Sequence, residues 1–164
     1  MAIGEQFASE LRRESKTTRR VLERVPDAHL GWKPHEKSMS LGQLAFHIAV
    51  LPRAITELIA EPVTEVPTVP LRQPSSSAAI LAAFDASIAF ATERLSAWSD
   101  EELSATWRMT RDGQTLLEMP RMAMFRSVML NHWYHHRGQL TVYLRLLDVP
   151  LPSVYGPTAD EVPF

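Results

Sequence analysis

Six histidines stand in this chain of 164 residues, and three of them crowd one stretch, His132-Trp133-Tyr134-His135-His136. An α-helix turns about 100° per residue, so residues four apart share a face. Reading the stretch 121–147 as one amphipathic helix puts Phe125 and Tyr143 at the centre of its apolar face. His132 and His136 then fall within roughly 20° on either side of that centre, and Arg137 and Arg145 point outward. Two imidazoles one turn apart occupy positions where the pattern calls for leucine. A buried polar ring is costly unless something satisfies it. A divalent ion does so for both rings from a single helical face. Such an ion, ligated by neutral imidazoles, acidifies a bound water or thiol and polarises a carbonyl.

A structural ion takes four protein ligands, whereas a catalytic one takes three and keeps a position open. A third ligand has to come from another helix. His47 is the only other histidine in a helical segment, beside an apolar stripe and between Leu44 and Leu51 on the wheel. Its position is less central than those of the other two, and a single core histidine is usually just hydrogen-bonded. A helix-spaced histidine pair also arises by chance. His135 lies near the edge of the face and could replace either partner, because it shares a side of the helix with His132. Gln139 shares the inward face with His132 and is expected to orient a histidine or a substrate rather than to ligate. The loop holding Trp32 and His35 is expected to supply further neighbours; as ligand candidates, His29 and His35 read as solvated loop residues.

The elements that must position these groups are legible from periodicity. A first helix is expected over residues 3–25, with Phe7, Leu11, Thr18, Val21, Leu22 and Val25 on one face and Pro26 ending it. A second opens at Ser40-Leu41-Gly42-Gln43, a capping box, with Met39 and Leu44 placed as a hydrophobic staple and Pro52 predicting a kink. Residues 61–74 carry four prolines and read as a long, stiff, extended connection. A third helix follows Ser75-Ser76-Ser77, and Ser99-Asp100-Glu101-Glu102 is a second capping box opening a short turn. Asp112-Gly113 between apolar segments predicts a type I′ hairpin over 106–117. Pro120 starts the fourth helix, and the tail 148–164 reads as irregular. The Met119, Met122, Met124, Met129 run reads as packing between hairpin and helix. Together these predict one all-α domain over residues 1–164: a four-helix bundle with a long crossover between helices 2 and 3 and a small β-hairpin before helix 4.

Composition excludes several classes. The chain has 45% hydrophobic and 22% charged residues, and a formal net charge of −2, so nothing points to a nucleic-acid or anionic-membrane partner. The alternating charges of Glu10-Leu11-Arg12-Arg13-Glu14 read as a solvated helix face. No cysteine is present, which removes disulfides, thiolate nucleophiles and sulfur-ligated metals. Six glycines leave little room for a phosphate loop, and there is no G-x-S-x-G elbow. The residue three before each helical histidine is Leu44, Met129, His132 or Trp133, so the Glu-x-x-His pattern of di-iron bundles is absent. With neither a leader pattern at the N-terminus nor an apolar run of spanning length, a cytoplasmic location is expected.

Three stretches carry a family resemblance: Trp32-Lys33-Pro34 with Ser38-Met39-Ser40-Leu41-Gly42-Gln43-Leu44-Ala45-Phe46-His47-Ile48; Asn131-His132-Trp133-Tyr134-His135-His136-Arg137-Gly138-Gln139-Leu140; and Val154-Tyr155-Gly156-Pro157-Thr158-Ala159-Asp160-Glu161. In identity, order and spacing the chain resembles the DinB/YfiT-like proteins, a family of metal-dependent enzymes. The resemblance implies a helical bundle with a long crossover and a metal ion held by His47, His132 and His136. It also implies that a low-molecular-weight thiol is a candidate co-substrate, since some relatives are transferases or isomerases that use one.

The expectation is therefore an enzyme with one divalent ion, zinc or nickel first and iron next, acting on a small electrophilic molecule. Hydrolysis by a metal-bound water, or a non-catalytic metal-binding role in stress response, are the competing expectations. Imidazole ligands suit several of these metals alike. A homodimer is expected from the family resemblance and from the apolar flanks of bundle helices.

Overall fold

The computed structural model describes residues 2–162, so the last two residues of the expected irregular tail lie outside the described residues. Its long helices are α1 (Ile3–Leu22), α2 (Leu41–Leu58), α3 (Ser77–Ala97) and α6 (Asn131–Leu146). Two short helices, α4 (Asp100–Ser104) and α5 (Arg121–Met124), and a three-stranded sheet accompany them. The chain is thus mostly helical but is not strictly the four-helix bundle expected. No helix among the described residues is long and apolar enough to cross a membrane.

The expected starts are realised by their caps. Ser40 Oγ accepts the Gln43 N–H at 3.1 Å while Gln43 Oε1 accepts the Ser40 N–H at 2.9 Å. The second box, Ser99 with Glu102, opens α4 in the same way, and Ser76 caps α3. At the hairpin, Asp112 and Gly113 both adopt positive φ, 50° and 77°, as a type I′ turn requires. The first helix ends at Leu22, three residues earlier than the apolar pattern indicated.

Three features depart from the sequence reading. Residues Val63–Glu65 form a strand, β1, that pairs parallel with β2 (Thr106–Arg111), which in turn pairs antiparallel with β3 (Gln114–Pro120). Three residues between prolines carry no periodicity, so the pairing is set by the neighbouring strand. The crossover is consequently pinned at both ends. Val66 N–H donates to Thr110 O at one end, and Gln43 Nε2 donates to Leu71 O at the other. The fourth helix is not one regular cylinder: a π-helical segment, Phe125–Leu130, separates α5 from α6. Wider turns of this kind shift the helix face and are frequent at functional sites. The third departure is Arg137, expected outward but buried at 2% exposure. The buried residues of α6 are Trp133, His136, Arg137, Leu140 and Leu144. Their centre lies roughly 90° from the flank that carries His132, Gln139 and Tyr143.

Pro52 accounts for how α2 meets α6. Lacking an N–H, it leaves the carbonyl of Ile48 without its helical donor. That carbonyl accepts the indole N–H of the fully buried Trp133 at 3.0 Å. On the other side of the proline, the Arg53 N–H donates to Ser87 Oγ of α3 at 3.0 Å. The helix interruption is thus filled by side chains from two neighbours, and one of them stands next to His132.

Candidate metal centre

His47 comes from the middle of α2, and His132 and His136 from the first two turns of α6. Their candidate ligand nitrogens all lie within 4.8 Å of one another. Ring centroids are 5.4 Å apart for His47 and His132, 4.8 Å for His47 and His136, and 4.4 Å for His132 and His136. The structure therefore brings together the three residues that wheel, helix placement and resemblance pointed to. His135 is exposed, with its ring 5.2 Å from that of His136, and is not part of the group.

Gln139 Oε1 lies 2.7 Å from His136 Nδ1; an amide oxygen accepts, so in this arrangement Nδ1 donates and Nε2 is the nitrogen left to ligate. His132 is bonded to the backbone of Val128 in the π segment, and this bond favours its protonated form. With both rings tied in this manner, the two Nε2 atoms face each other at 2.6 Å. At that distance a proton on one nitrogen bonds the other, and a cation can take that proton's place between them. On a tetrahedral ion with bonds near 2.0 Å, ligand atoms stand about 3.3 Å apart. The pair needs to open by only ~0.7 Å to reach that spacing. The donor set thus fits a divalent ion.

Electrostatics keep the three rings in the ligating, neutral form. Burial lowers the pKa of His47, assisted by the charge of His132. Burial also lowers that of His132, with His135 adding to the effect. His136 is pushed down to about 4, chiefly by burial; the Gln139 bond opposes this and the other three histidines reinforce it. Groups held uncharged near neutrality by burial, and clustered at a cleft, mark a functional site.

His47 and His132 form part of the wall of a cleft of about 490 Å³. Its other walls come from α2, the crossover, the hairpin through Met109 and Leu117, and the π segment through Val128. Met124 also lines it, so the methionine run contributes to a cavity as well as to packing. Of the expected neighbours, Trp32 packs edge-on against Tyr143 at 5.8 Å, on the flank of α6 that carries the histidines. His35 does not join them: it is exposed, and its Nδ1 accepts the Lys37 N–H within its own turn. His29 is exposed as well.

Sequence reasoning missed the polar network behind the site. Arg137 donates to Glu14 Oε2 at 3.0 Å, to Thr18 Oγ1 at 3.0 Å and to the Tyr155 hydroxyl oxygen, and the Tyr155 hydroxyl donates to Glu14 at 2.8 Å. Glu10, beside it, accepts from Tyr134 and Arg126. The charged run of α1 is therefore only partly a solvated face. The signal was available, since Glu14 falls between Leu11 and Thr18 on the apolar stripe.

Comparison with known proteins places the chain. A sequence model of the DinB family matches residues 1–162. The chain belongs to the DinB family. It is 28% identical over 149 residues to the uncharacterized protein YrdA of Bacillus subtilis (strain 168), covering 90% of this chain and 85% of YrdA. The crystal structure of a DinB-like protein from Bacillus cereus ATCC 10987 superposes with a TM-score of 0.68 at 25% identity, covering 91% of this chain and 95% of that one. A DinB-like protein from Bacillus subtilis, YjoA, shares the fold with a TM-score of 0.70 at 21% identity, over 91% and 96% of the two chains.

Proposed function

We propose that this DinB-family protein is a metal-dependent enzyme whose divalent ion, zinc or nickel first and iron next, is held by His47, His132 and His136. The observation that carries the reading is the close approach of His132 Nε2 and His136 Nε2, 2.6 Å apart with Gln139 Oε1 at the other nitrogen of His136, and His47 closing the third side. When bound, an ion with three neutral ligands supplies a Lewis-acidic open position that lowers the pKa of a water or thiol. His47 and His132 stand at the wall of a cleft, so a small molecule entering it reaches the same nitrogens. The chain contributes no cysteine, so a sulfur nucleophile would arrive as a low-molecular-weight thiol. We favour transfer of such a thiol to an electrophilic carbon. The sulfur forms the new bond to carbon, the leaving group departs with its electron pair, and the thiol proton passes to solvent.

The test is the fourth coordination position. Cobalt-substituted protein titrated with 2-mercaptoethanol should develop a sulfur-to-cobalt charge-transfer band, and H136A should not. A cobalt spectrum indifferent to thiol but altered by pH in the manner of a bound water would favour hydrolysis. A spectrum indifferent to both would mean a closed site, and the reading would change to a metal-stabilised binding protein.

A further inference from the structure

The cleft beside the histidines is strongly asymmetric along its length. It follows α2 from Gln43 to Leu58, about 22 Å of helix at 1.5 Å rise per residue. Gln43 and His47 stand one turn apart at its first end, where Gln43 also holds the Leu71 carbonyl. Arg72, the next residue of the crossover, lines the cleft at this end. No carboxylate or hydrogen-bond acceptor among the described residues engages its guanidinium. The opposite end is apolar. Leu58 lines the cleft together with Met109, which pairs with Thr64 across β1 and β2, and Met124 of α5. Arg121 bonds the Ile59 carbonyl beneath and fixes α5 there. The crossover arches over the space between, with Val69 58% exposed on it. A volume of about 490 Å³ is that of a small-molecule site.

We propose that the cleft binds an elongated aliphatic carboxylate, its chain lying along α2 toward Leu58 and its carboxylate beside Arg72, within one helix turn of His47. The assignment rests on the three-histidine reading for the position of the reactive end. Apolar walls over four turns of helix bind a chain by removing it from water. A compact polar substrate would leave those walls wet. Arg72 is exposed, and a carboxylate offers its guanidinium two oxygens in parallel, which a neutral chain does not. The charged group beside Gln43 and the apolar Leu58 at the far end of α2 set the direction in which the ligand lies.

The test compares decanoate with 1-decanol by titration calorimetry, on zinc-loaded protein and again after chelation, with bound zinc counted for every variant. Decanoate should bind more tightly than decanol in both states. R72A should weaken decanoate about three- to fivefold, the scale of an exposed ion pair, and leave decanol unchanged. A54W, which fills the middle of the cleft, should lose both ligands and keep its zinc. V69D changes an exposed residue of the crossover and should weaken decanoate with folding intact, so it decides the matter if A54W does not fold. Decanoate binding unaffected by V69D, or weakening of both ligands alike by R72A, would overturn the assignment. A protein that discriminates decanoate through Arg72 yet binds no zinc would remove the metal reading and leave the cleft assignment standing. Zinc without either ligand would do the reverse.

Discussion

Gln139 grips one nitrogen of His136 and thereby decides what the other can do. Groups behind a ligand typically change metal affinity by about 10- to 100-fold. Gln139 is exposed, so Q139A should fall at the lower end, about tenfold weaker zinc binding at unchanged stoichiometry, as read by competition with a chromophoric chelator. Complete loss of the ion would make Gln139 a ligand. The depressed histidine pKa values carry a second expectation, for the metal-free protein. An unfolded histidine titrates near 6.5, and His136 in the fold only near 4, so between those values the unfolded chain binds more protons. The stability is present above about 6.5 and is lost as the pH falls toward 4. Melting temperatures of chelated protein across that range should decline with acid, and H136A should flatten the slope. An equal slope in H136A would show that other groups govern it. The grouping of His132, His136 and Gln139 was legible because their spacing puts them on one side of a helix, although the π segment moves the buried centre of α6 away from that side. Arg137 was not, because its partners Glu14 and Tyr155 lie more than a hundred residues before it and eighteen after it in the chain.

At the scale of elements, the site depends on how α2 is held against α6. The Trp133 indole bonds the Ile48 carbonyl that Pro52 sets free, so the residue after His132 is fastened to the residue after His47. W133F keeps most of the ring and removes the N–H. It should destabilise the protein by about 1–3 kcal/mol, the cost of an orphaned buried acceptor, and weaken zinc binding as the two histidine-bearing helices lose their shared bond. Thermal unfolding and zinc titration of the same variant check both. Unchanged zinc affinity alongside lower stability would mean that the bond supports the core only. Pro52 announced the interruption in the sequence, but not what would fill it. The capping boxes and the Asp112-Gly113 turn were readable because their signals are local. Strand β1 was not, because its form is set by partners distant in the chain, Arg108, Met109 and Thr110, and the π segment carries no local signal such as a proline or glycine.

For the molecule as a whole, the core is apolar and drawn from every long helix. Leu11, Leu44, Ile48, Phe84, Trp133 and Leu140, drawn from all four long helices, are each at most 2% exposed. Chelation should therefore leave the helical circular-dichroism spectrum nearly unchanged and lower the melting temperature, since a ligand bound only by the folded state stabilises it by mass action. Wholesale loss of helix would make the ion a structural element. The overall mostly helical class followed from periodicity alone. The covering of the histidine cleft by crossover and hairpin did not, because a proline-rich segment shows in sequence only that it is extended, not what it lies against.

The most direct test of the central claim is elemental analysis of protein purified without a metal-affinity column. Wild type and H135A should each carry close to one equivalent of a divalent transition metal per chain, and H47A, H132A and H136A should carry almost none while retaining their helical spectra. A wild-type protein free of metal that also fails to take up zinc, nickel or iron on titration would contradict the account, as would loss of the ion in H135A with retention in H136A.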